Sequence, residues 1–389
     1  MGRYLRQFAA NFRKGDMVLL MICMITTAFG CLVISSAAST DSVRYVTIQI
    51  IAALLGILMY SVVSTIDAEV FSEHRTWLVI FNMVLLAMLI PFGTDMGSGN
   101  KSWIDLPILP VNIQPAEICK ITYILIMASV MNAHQNNVSS PKAIIKMVAH
   151  LGVLVGVNMA LSRDAGVSLI FVFIFVGMAF AGGVNLIWFL IGGGTIAAAF
   201  PIVWNYMMDP YQQKRIEVLF NPELDPLGTD VRYHTMRSLR SLTGGGMTGQ
   251  GLFNGTRTQT PGSLPAQHTD YIFSAIGEEL GYVGCFIVMV LMIAIIARCI
   301  WVGNRSGDYM RRLICYGAAA ALIFQVVVNV GMCIGVTPVI GLTLPFISYG
   351  GSSIVSLYAM LGLVSGVYAR PAAASHERYI RAPIQTYKY

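Results

Sequence analysis

The sequence predicts an all-α integral membrane protein with about ten transmembrane helices and one large extracytoplasmic loop. Its composition is one basis for this prediction: 56% of the residues are hydrophobic and 11% are charged, whereas a soluble domain carries about 25% charged residues. The mean hydropathy of +0.68 agrees with that comparison. The other basis is spacing, because apolar runs of about 20 residues, the length that a helix needs to cross a bilayer, recur along the chain.

The predicted spans divide into seven before a long polar segment and three after it. The first run is longer than the apolar core of a signal peptide, about 7–15 residues, and we interpret it as an uncleaved span. The polar segment, residues 208–270, is the large loop between spans seven and eight of a single polytopic domain, residues 1–389. The spans are residues 17–38, 45–64, 76–92, 115–131, 143–162, 166–182, 184–207, 282–302, 312–334 and 346–368.

The distribution of basic residues predicts the orientation. The side that holds both termini carries most of them, and the short loops of the opposite side hold only Arg44, Lys101 and Arg163. The positive-inside rule therefore places both termini in the cytoplasm and residues 208–270 outside. The cytoplasmic set is Arg3, Arg6, Arg13, Lys14, Arg298, Arg305, Arg311, Arg312, Arg370, Arg378, Arg381 and Lys388.

The remaining composition excludes other classes. The formal charge of +6 is spread over loops and termini, without the basic stripe of a nucleic-acid-binding protein, so we expect no nucleic-acid partner. The seven cysteines lie in or at the ends of apolar spans without a CxxC motif, which predicts free thiols. Within span seven, Pro201 predicts a kink, and the glycines at 192–194 predict the close approach of another helix.

The segment LPAQHTDYIFSAIGEELG, residues 264–281, brings His268, Asp270, Glu278 and Glu279 to the border of span eight. An ionisable side chain near hydrocarbon is costly unless it is paired or hydrated, so this cluster indicates the functional end of the molecule. On the residues alone, Asp270 is explained equally well as a helix N-cap and as a catalytic group. Glu278 and Glu279 either line the same aqueous mouth or have no chemical role.

A second polar cluster is expected at the outer ends of spans four and six. Glu117 and Lys120 are three residues apart, so they share a helix face and can form an ion pair. Asp164 begins span six at a similar depth. The cluster is either a structural ion pair that orients helices or part of a substrate groove or phosphate site.

A literal GxGxxG occurs at Gly244, Gly246 and Gly249. It has neither the preceding strand of a dinucleotide-binding unit nor the lysine of a phosphate-binding loop. A flexible turn is the favoured interpretation, and backbone amides near a phosphate are the alternative. Motifs of hydrolases such as GxSxG and HExxH are absent from the sequence.

Taken together, these motifs resemble the SEDS family of polytopic RodA, FtsW and SpoVE type proteins over nearly the whole chain. NIQPAEICK resembles the family's QPSE-x-x-K element, RDAG its D-x-G element, and YQQKRIEVLFNPELDPLG, which contains Arg215, the start of its large loop. PAQHTDYIFSAIGEELG resembles the block around the family's catalytic Asp, and GLTLPFISYGGSS its signature. Two departures are Ala116 in place of the usual Ser and Ala266 in place of a usual Glu.

The resemblance implies a peptidoglycan glycosyltransferase that polymerises lipid II, releases undecaprenyl pyrophosphate and serves cell shape, division or sporulation. It implies that Asp270 is catalytic. Arg215 and His268 join Glu117, Lys120, Asp164, Glu278 and Glu279 as a substrate-binding or structural set. The implied location is the bacterial cytoplasmic membrane, and the implied partner is a class B penicillin-binding protein.

A free Asp has a pKa near 3.9, too low for an efficient base at neutral pH. Burial or a neighbouring charge has to raise that pKa, or a divalent cation, Mg²⁺ or Mn²⁺, has to carry part of the charge. No organic cofactor is expected. The alternatives in function are a lipid II flippase or other lipid-linked transporter, which would carry its charges near the bilayer midplane, and a scaffold that only recruits the transpeptidase.

Overall fold

The computed structural model describes residues 14–38, 41–67, 70, 74–95, 100–105, 112–206 and 208–370. Each of the ten predicted spans coincides with a helix in these residues. The helices are α1 (Met17–Ala37), α2 (Ser42–Thr65), α3 (Arg75–Ala87), α4 (Leu89–Phe92), α5 (Pro115–Asn132), α6 (Pro141–Leu161), α7 (Ala165–Ala181), α8 (Leu186–Tyr206), α9 (Pro210–Phe220), α10 (Tyr233–Gly244), α11 (Ile272–Arg305), α12 (Tyr309–Cys333) and α13 (Gly351–Ala369).

The strands of the described residues are β1 (Gly93–Thr94) and β2 (Trp103–Ile104), an antiparallel pair that follows α4, and an isolated bridge joins Ile104 to Ile113. Short 3-10 helices occupy Gln135–Asn137 and Pro222–Leu224. The predicted all-α class is therefore confirmed. In lipid an apolar segment has to satisfy its own backbone groups, which is why these runs become helices.

Eight helices of the described residues are long and apolar enough to cross a membrane, counting α3 and α4 as one. The other two predicted spans coincide with α5, which carries Glu117 and Lys120, and with α7, a shorter apolar helix. The count of ten spans stays a prediction. The basic residues before Lys14 and after Arg370, which include Arg3, Arg6, Arg13, Arg378, Arg381 and Lys388, lie outside the described residues.

The core is formed by α5, α12 and α13, which are buried along most of their length. Glycines bring α13 against α2, since a Cβ at Gly56 would touch the Tyr358 ring and one at Gly362 would meet the Tyr60 backbone. By contrast, α8 has no buried residue. The glycines at 192–194 have no neighbour within 4 Å of an added Cβ, so the predicted close approach of another helix was wrong within the described residues.

An ion pair joins the start of α1 to the C-terminal half of α11. The Asp16 side chain accepts a hydrogen bond from the Leu19 backbone N–H at 3.0 Å and so caps α1. The same carboxylate pairs with the Arg298 guanidinium through bonds of 2.8 and 3.0 Å, and Arg298 lies over the Trp301 ring at 4.2 Å. Because the pair is bidentate and stacked, it is the kind of buried ion pair that holds a fixed geometry.

The predicted start of span eight, Tyr282, coincides with an interruption in a longer helix. Helix α11 begins at Ile272 and is interrupted at Gly281, whose φ is 65°. The turns before the interruption carry Glu278 and Glu279, which hydropathy does not assign to a span. Helix α13 begins at Gly351, a few residues after the predicted start of span ten.

The glycine-rich residues 244–251 form turns, as the sequence favoured, and these turns fill the interruption in α11. In an unbroken helix, the N–H groups of Tyr282 and Val283 would donate to residues 278 and 279. Instead they donate to the carbonyls of Gly246 and Met247 at 3.0 and 3.2 Å, while Gln250 and Gly251 donate to Glu278 and Glu279 at 3.0 and 2.9 Å. The large loop is therefore joined to α11 by backbone bonds.

We expect Gly281→Ala to destabilise the protein, because a φ of 65° disfavours any side chain and the new Cβ would lie 2.4 Å from the Gly249 nitrogen. A strained position of this kind costs about 1–3 kcal/mol before the overlap is counted. The measurement is the midpoint of thermal unfolding in detergent. Gly192→Ala in α8 is the matched control and should leave the midpoint unchanged or slightly raised; equal midpoints for both variants would contradict the role of the interruption.

Candidate functional site

Asp270 lies two residues before α11, at the end of the large loop. The residue that caps α11 is Tyr271, without a side-chain hydrogen bond, so the N-cap interpretation of Asp270 was wrong. The carboxylate is half-buried and makes no hydrogen bond within the described residues. A Cβ at Gly341 would lie 3.6 Å from Asp270 Oδ2. The backbone of Gly341, whose φ is 68°, therefore lies directly beside the carboxylate.

The surroundings of Asp270 change its acidity in the direction that a general base needs. Burial raises the pKa of Asp270 to about 6, and the negative charge of Asp164 contributes to the rise. A carboxyl with this pKa is mostly ionised at neutral pH yet basic enough to take a proton. Burial and a neighbouring charge, two of the causes expected for Asp270, therefore both act in the expected direction.

Residues 335–350, here the signature segment, hold the residues around Asp270. The Ser348 hydroxyl donates to the Thr269 carbonyl at 2.7 Å, and the Tyr349 N–H donates to the His268 carbonyl at 2.9 Å. Asn329 of α12 donates to the carbonyls of both Asp270, at 2.9 Å, and Leu342, at 2.6 Å. The backbone of Asp270 is therefore fixed from two sides while its carboxylate stays unbonded.

The Asp164 carboxylate belongs to the polar cluster that the sequence indicated, and it also caps a helix, which the sequence did not indicate. Its Oδ1 accepts from the Val167 N–H at 3.1 Å and caps α7. Its Oδ2 accepts from the side chains of Gln114 at 3.3 Å and Ser102 at 3.4 Å. Burial raises the pKa of Asp164, and the nearby Glu117 adds to the rise. Asp164 is therefore electrostatically linked to Asp270 and to Glu117.

Glu117 and Lys120 form the ion pair that their spacing predicted. Lys120 Nζ donates to Glu117 Oε1 at 2.8 Å, and the side chains are only 2% and 5% exposed. The Ser356 hydroxyl of α13 donates to the other Glu117 oxygen at 2.6 Å. In the described part of the chain, Lys120 makes no other side-chain hydrogen bond. The pair joins α5 to α13 beneath Asp164.

Arg215 comes to the signature segment from α9. Its guanidinium donates to the Val339 carbonyl at 3.0 Å and to the Tyr211 hydroxyl at 3.1 Å, and it lies 4.5 Å over the Tyr211 ring. Val339 is two residues from Gly341, so Arg215 and Asp270 contact the same short stretch. The remaining guanidinium N–H groups can meet an anion there.

Glu278 and Glu279 are fully buried in α11 and do not line an aqueous mouth. Glu279 Oε1 accepts from the hydroxyls of Ser36 and Thr258, both at 2.7 Å, and from the Gln259 amide at 3.1 Å. Glu278 Oε1 accepts from the Arg257 backbone N–H at 2.6 Å. These carboxylates hold the loop against α1 and α11, and the structure separates them from the predicted site group.

His268 lies on the other side of the segment, between Tyr45 and Tyr349, with ring centroids 4.6 and 5.9 Å away. Burial lowers the pKa of His268, so the ring is neutral at pH 7. The sequence pointed to His268 but gave no signal for Tyr45, which is distant in the chain. Gln114, Asn329 and Gly341 were missed for the same reason, although Gln114 and Gly341 lie inside motifs that carried the resemblance.

No group of three or more His, Cys, Asp or Glu side chains in the described part of the chain is arranged to hold a metal ion. All seven cysteines are free thiols, as predicted.

A family profile, named relatives and solved structures all match this chain. The profile FTSW_RODA_SPOVE, described as "Cell cycle protein", matches residues 16–371. The chain is 33% identical over 355 residues to the peptidoglycan glycosyltransferase MrdB of Escherichia coli K12, covering 91% of this chain and 93% of MrdB. It is 33% identical over 364 residues to the probable peptidoglycan glycosyltransferase FtsW of Thiomicrospira cyclica, covering 90% of each.

Solved structures agree with the fold. A chain in a structure titled "Structural coordination of polymerization and crosslinking by a peptidoglycan synthase complex" matches with a TM-score of 0.77 and 26% identity, covering 92% of this chain and 99% of that one. The rod shape determining protein RodA of Thermus thermophilus matches with a TM-score of 0.68 and 24% identity, covering 92% and 98%. At that identity the second match shows the fold alone.

The buried pair yields a prediction about stability. We expect Lys120→Met to lower the free energy of unfolding by about 3–5 kcal/mol, because it leaves the Glu117 charge buried without a counter-ion. A double variant, Glu117→Leu with Lys120→Met, should regain much of this loss, since no uncompensated charge remains. Thermal unfolding in detergent measures both.

Lys142→Met, at an exposed position near the start of α6, is the matched control and should be neutral. A Lys120→Met protein with the wild-type midpoint would show that the pair carries no structural role.

Proposed function

This chain belongs to the FtsW, RodA and SpoVE family of cell cycle proteins, and from that premise we propose that it polymerises lipid II into glycan strands. It is a peptidoglycan glycosyltransferase of bacterial cell-wall synthesis. Relatives that bear this activity in their names are 33% identical across about nine-tenths of the chain. The resemblance extends through every segment that contributes to the candidate site.

The proposal that Asp270 is the catalytic group rests on one observation. The Asp270 carboxylate has no hydrogen-bond partner in the described residues, is held by its backbone, and has a pKa of about 6. A structural carboxylate is normally bonded, because a buried polar group without a partner is costly. A carboxylate kept basic and unbonded next to an open glycine position suits transient contact with a substrate hydroxyl.

The resemblance to the family implies the following reaction, in which these properties of Asp270 have a role. Asp270 takes the proton from the C4 hydroxyl of the acceptor sugar while that oxygen attacks the anomeric carbon of the donor. The bond from the anomeric carbon to the pyrophosphate oxygen breaks, and undecaprenyl pyrophosphate leaves with the bonding electron pair. Asp164 keeps the pKa of Asp270 raised through its charge, and Arg215 offers N–H donors to the departing diphosphate.

A divalent cation is a further proposal. Asp164 and Asp270 supply two carboxylates that influence each other's charge, and Mg²⁺ is commonly bound by one or two carboxylates together with substrate phosphates. Such an ion would stabilise the negative charge on the leaving diphosphate. In this proposal Asp270 takes the proton of the acceptor, and Arg215 contacts the diphosphate of the donor.

The setting of the reaction is the bacterial inner membrane, with both termini in the cytoplasm and the large loop outside. The distribution of basic residues supports this orientation. One side of the helices holds the residues around the α11–α12 connection, Arg298, Arg305, Arg311 and Arg312. The short connections at the opposite ends of the helices hold Arg44, Lys101 and Arg163. The partner is a class B penicillin-binding protein, a transpeptidase. The structural match whose title describes polymerisation and crosslinking in one synthase complex supports it.

The test is Asp270→Asn assayed on purified protein with its transpeptidase and lipid II. Loss of the general base should reduce glycan polymerisation about 10²–10⁴-fold, while thermal unfolding and partner binding stay as in the wild type, because the side chain makes no structural bond.

Asp230→Asn is the matched control, since this loop carboxylate is 60% exposed, and it should polymerise normally. Near-wild-type polymerisation by Asp270→Asn would remove the catalytic role. Lipid II transport into the outer leaflet without polymer from wild-type protein would favour the flippase alternative instead.

A further inference from the structure

Three aromatic rings meet near the start of α2, where the end of the large loop and the signature segment approach it. The Tyr45 ring lies 4.6 Å from His268 at an interplanar angle of 33° and 4.7 Å from Tyr349 at 77°. All three side chains are half-buried. We name Tyr45, His268 and Tyr349 the aromatic platform.

Hydrogen bonds connect the aromatic platform to the residues directly before Asp270. Tyr349 donates its N–H to the His268 carbonyl at 2.9 Å, and the neighbouring Ser348 hydroxyl bonds the Thr269 carbonyl at 2.7 Å. Gln49, one helical turn after Tyr45, donates its amide to the Ser348 carbonyl at 3.1 Å. His268 precedes Asp270 by two residues, so their Cα atoms are at most about 7 Å apart. That is roughly the length of one pyranose ring.

The polar atoms of the platform are not used by the fold. The hydroxyls of Tyr45 and Tyr349 and the ring nitrogens of His268 make no hydrogen bond among the described residues, and none of these atoms is buried without a partner. They are therefore open to solvent. Other aromatic pairs of the chain differ: Tyr123 and Phe171 lie inside the bundle, with the Tyr123 hydroxyl buried.

This combination of groups has a defined chemical preference. An exposed ring offers flat apolar area with a polar edge, which suits a ligand that is apolar on one side and wet on the other. A pyranose presents a face of C–H groups and an edge of hydroxyls, and an N-acetyl group adds an amide. A neutral imidazole can donate or accept a hydrogen bond at that edge.

We propose that the aromatic platform is a carbohydrate subsite that stacks on an N-acetylhexosamine ring of the lipid-linked substrate. The bound ring is the neighbour of the ring that reacts at Asp270. This inference rests on the proposed function, because it takes Asp270 as the reacting group. It makes Tyr45, His268 and Tyr349 binding residues that select for the sugar part of the substrate and leave the diphosphate to other groups.

The experiment measures equilibrium binding to full-length Asp270→Asn protein, which cannot turn over. The two probes are lipid II and undecaprenyl pyrophosphate, which lacks sugar. Adding Tyr45→Leu should weaken lipid II binding about three- to tenfold through loss of the stacking ring and leave undecaprenyl pyrophosphate binding unchanged within about twofold. Tyr45→Phe keeps the ring and is the matched control, with binding close to the parent.

The outcomes separate the two proposals. Lipid II binding that is insensitive to Tyr45→Leu, or an equal loss for both probes, overturns the platform alone. No lipid II binding by the Asp270→Asn parent, although it is folded, counts against the proposed function and the platform together. Should Tyr45→Leu unfold, Tyr349→Leu with Tyr349→Phe tests the same selective loss.

Discussion

The position of Asp270 depends on hydrogen bonds between segments that are distant in the sequence. Asn329 bridges the carbonyls of Asp270 and Leu342, and the signature segment bonds the two residues before Asp270. Each bond ends on a backbone carbonyl, so the loop is fixed while the carboxylate stays available. Preorganisation of this kind is what a general base requires, since a misplaced group loses its advantage.

The rest of the molecule supports that arrangement by pairing or bonding its buried charges. Glu117 and Lys120 form a buried ion pair, and Asp16 at the start of α1 pairs with Arg298 of α11. Glu279 accepts three side-chain bonds that attach the large loop to α1 and α11. Since an intramembrane charge is tolerated only when paired or hydrated, Asp270 differs from these groups: its charge is left without a bonded partner.

The sequence predicted the membrane class, the places of ten helices and the Glu117–Lys120 pair, because hydropathy and helical spacing are local. The role of Asp270 came from resemblance, and the residues alone left it undecided between cap and catalyst. Deciding between them needed the first turns of α11, residues 272–280, which hydropathy does not assign to a span because Glu278 and Glu279 are polar. Long-range packing, which no local sequence pattern reports, determines three further features. These are the burial of Glu278 and Glu279, the insertion of residues 244–251 and the contact between Tyr45 and His268.

The central claim is that Asp270 is a base whose pKa is raised by burial and by Asp164. A base works ionised, so polymerisation by the wild-type complex should fall as pH drops, with an apparent pKa of about 6. Asp164→Asn removes the repelling charge yet can still cap α7, and the measured pKa of the rate should move to lower pH. A pH–rate profile with its midpoint unchanged or raised by Asp164→Asn would contradict the account.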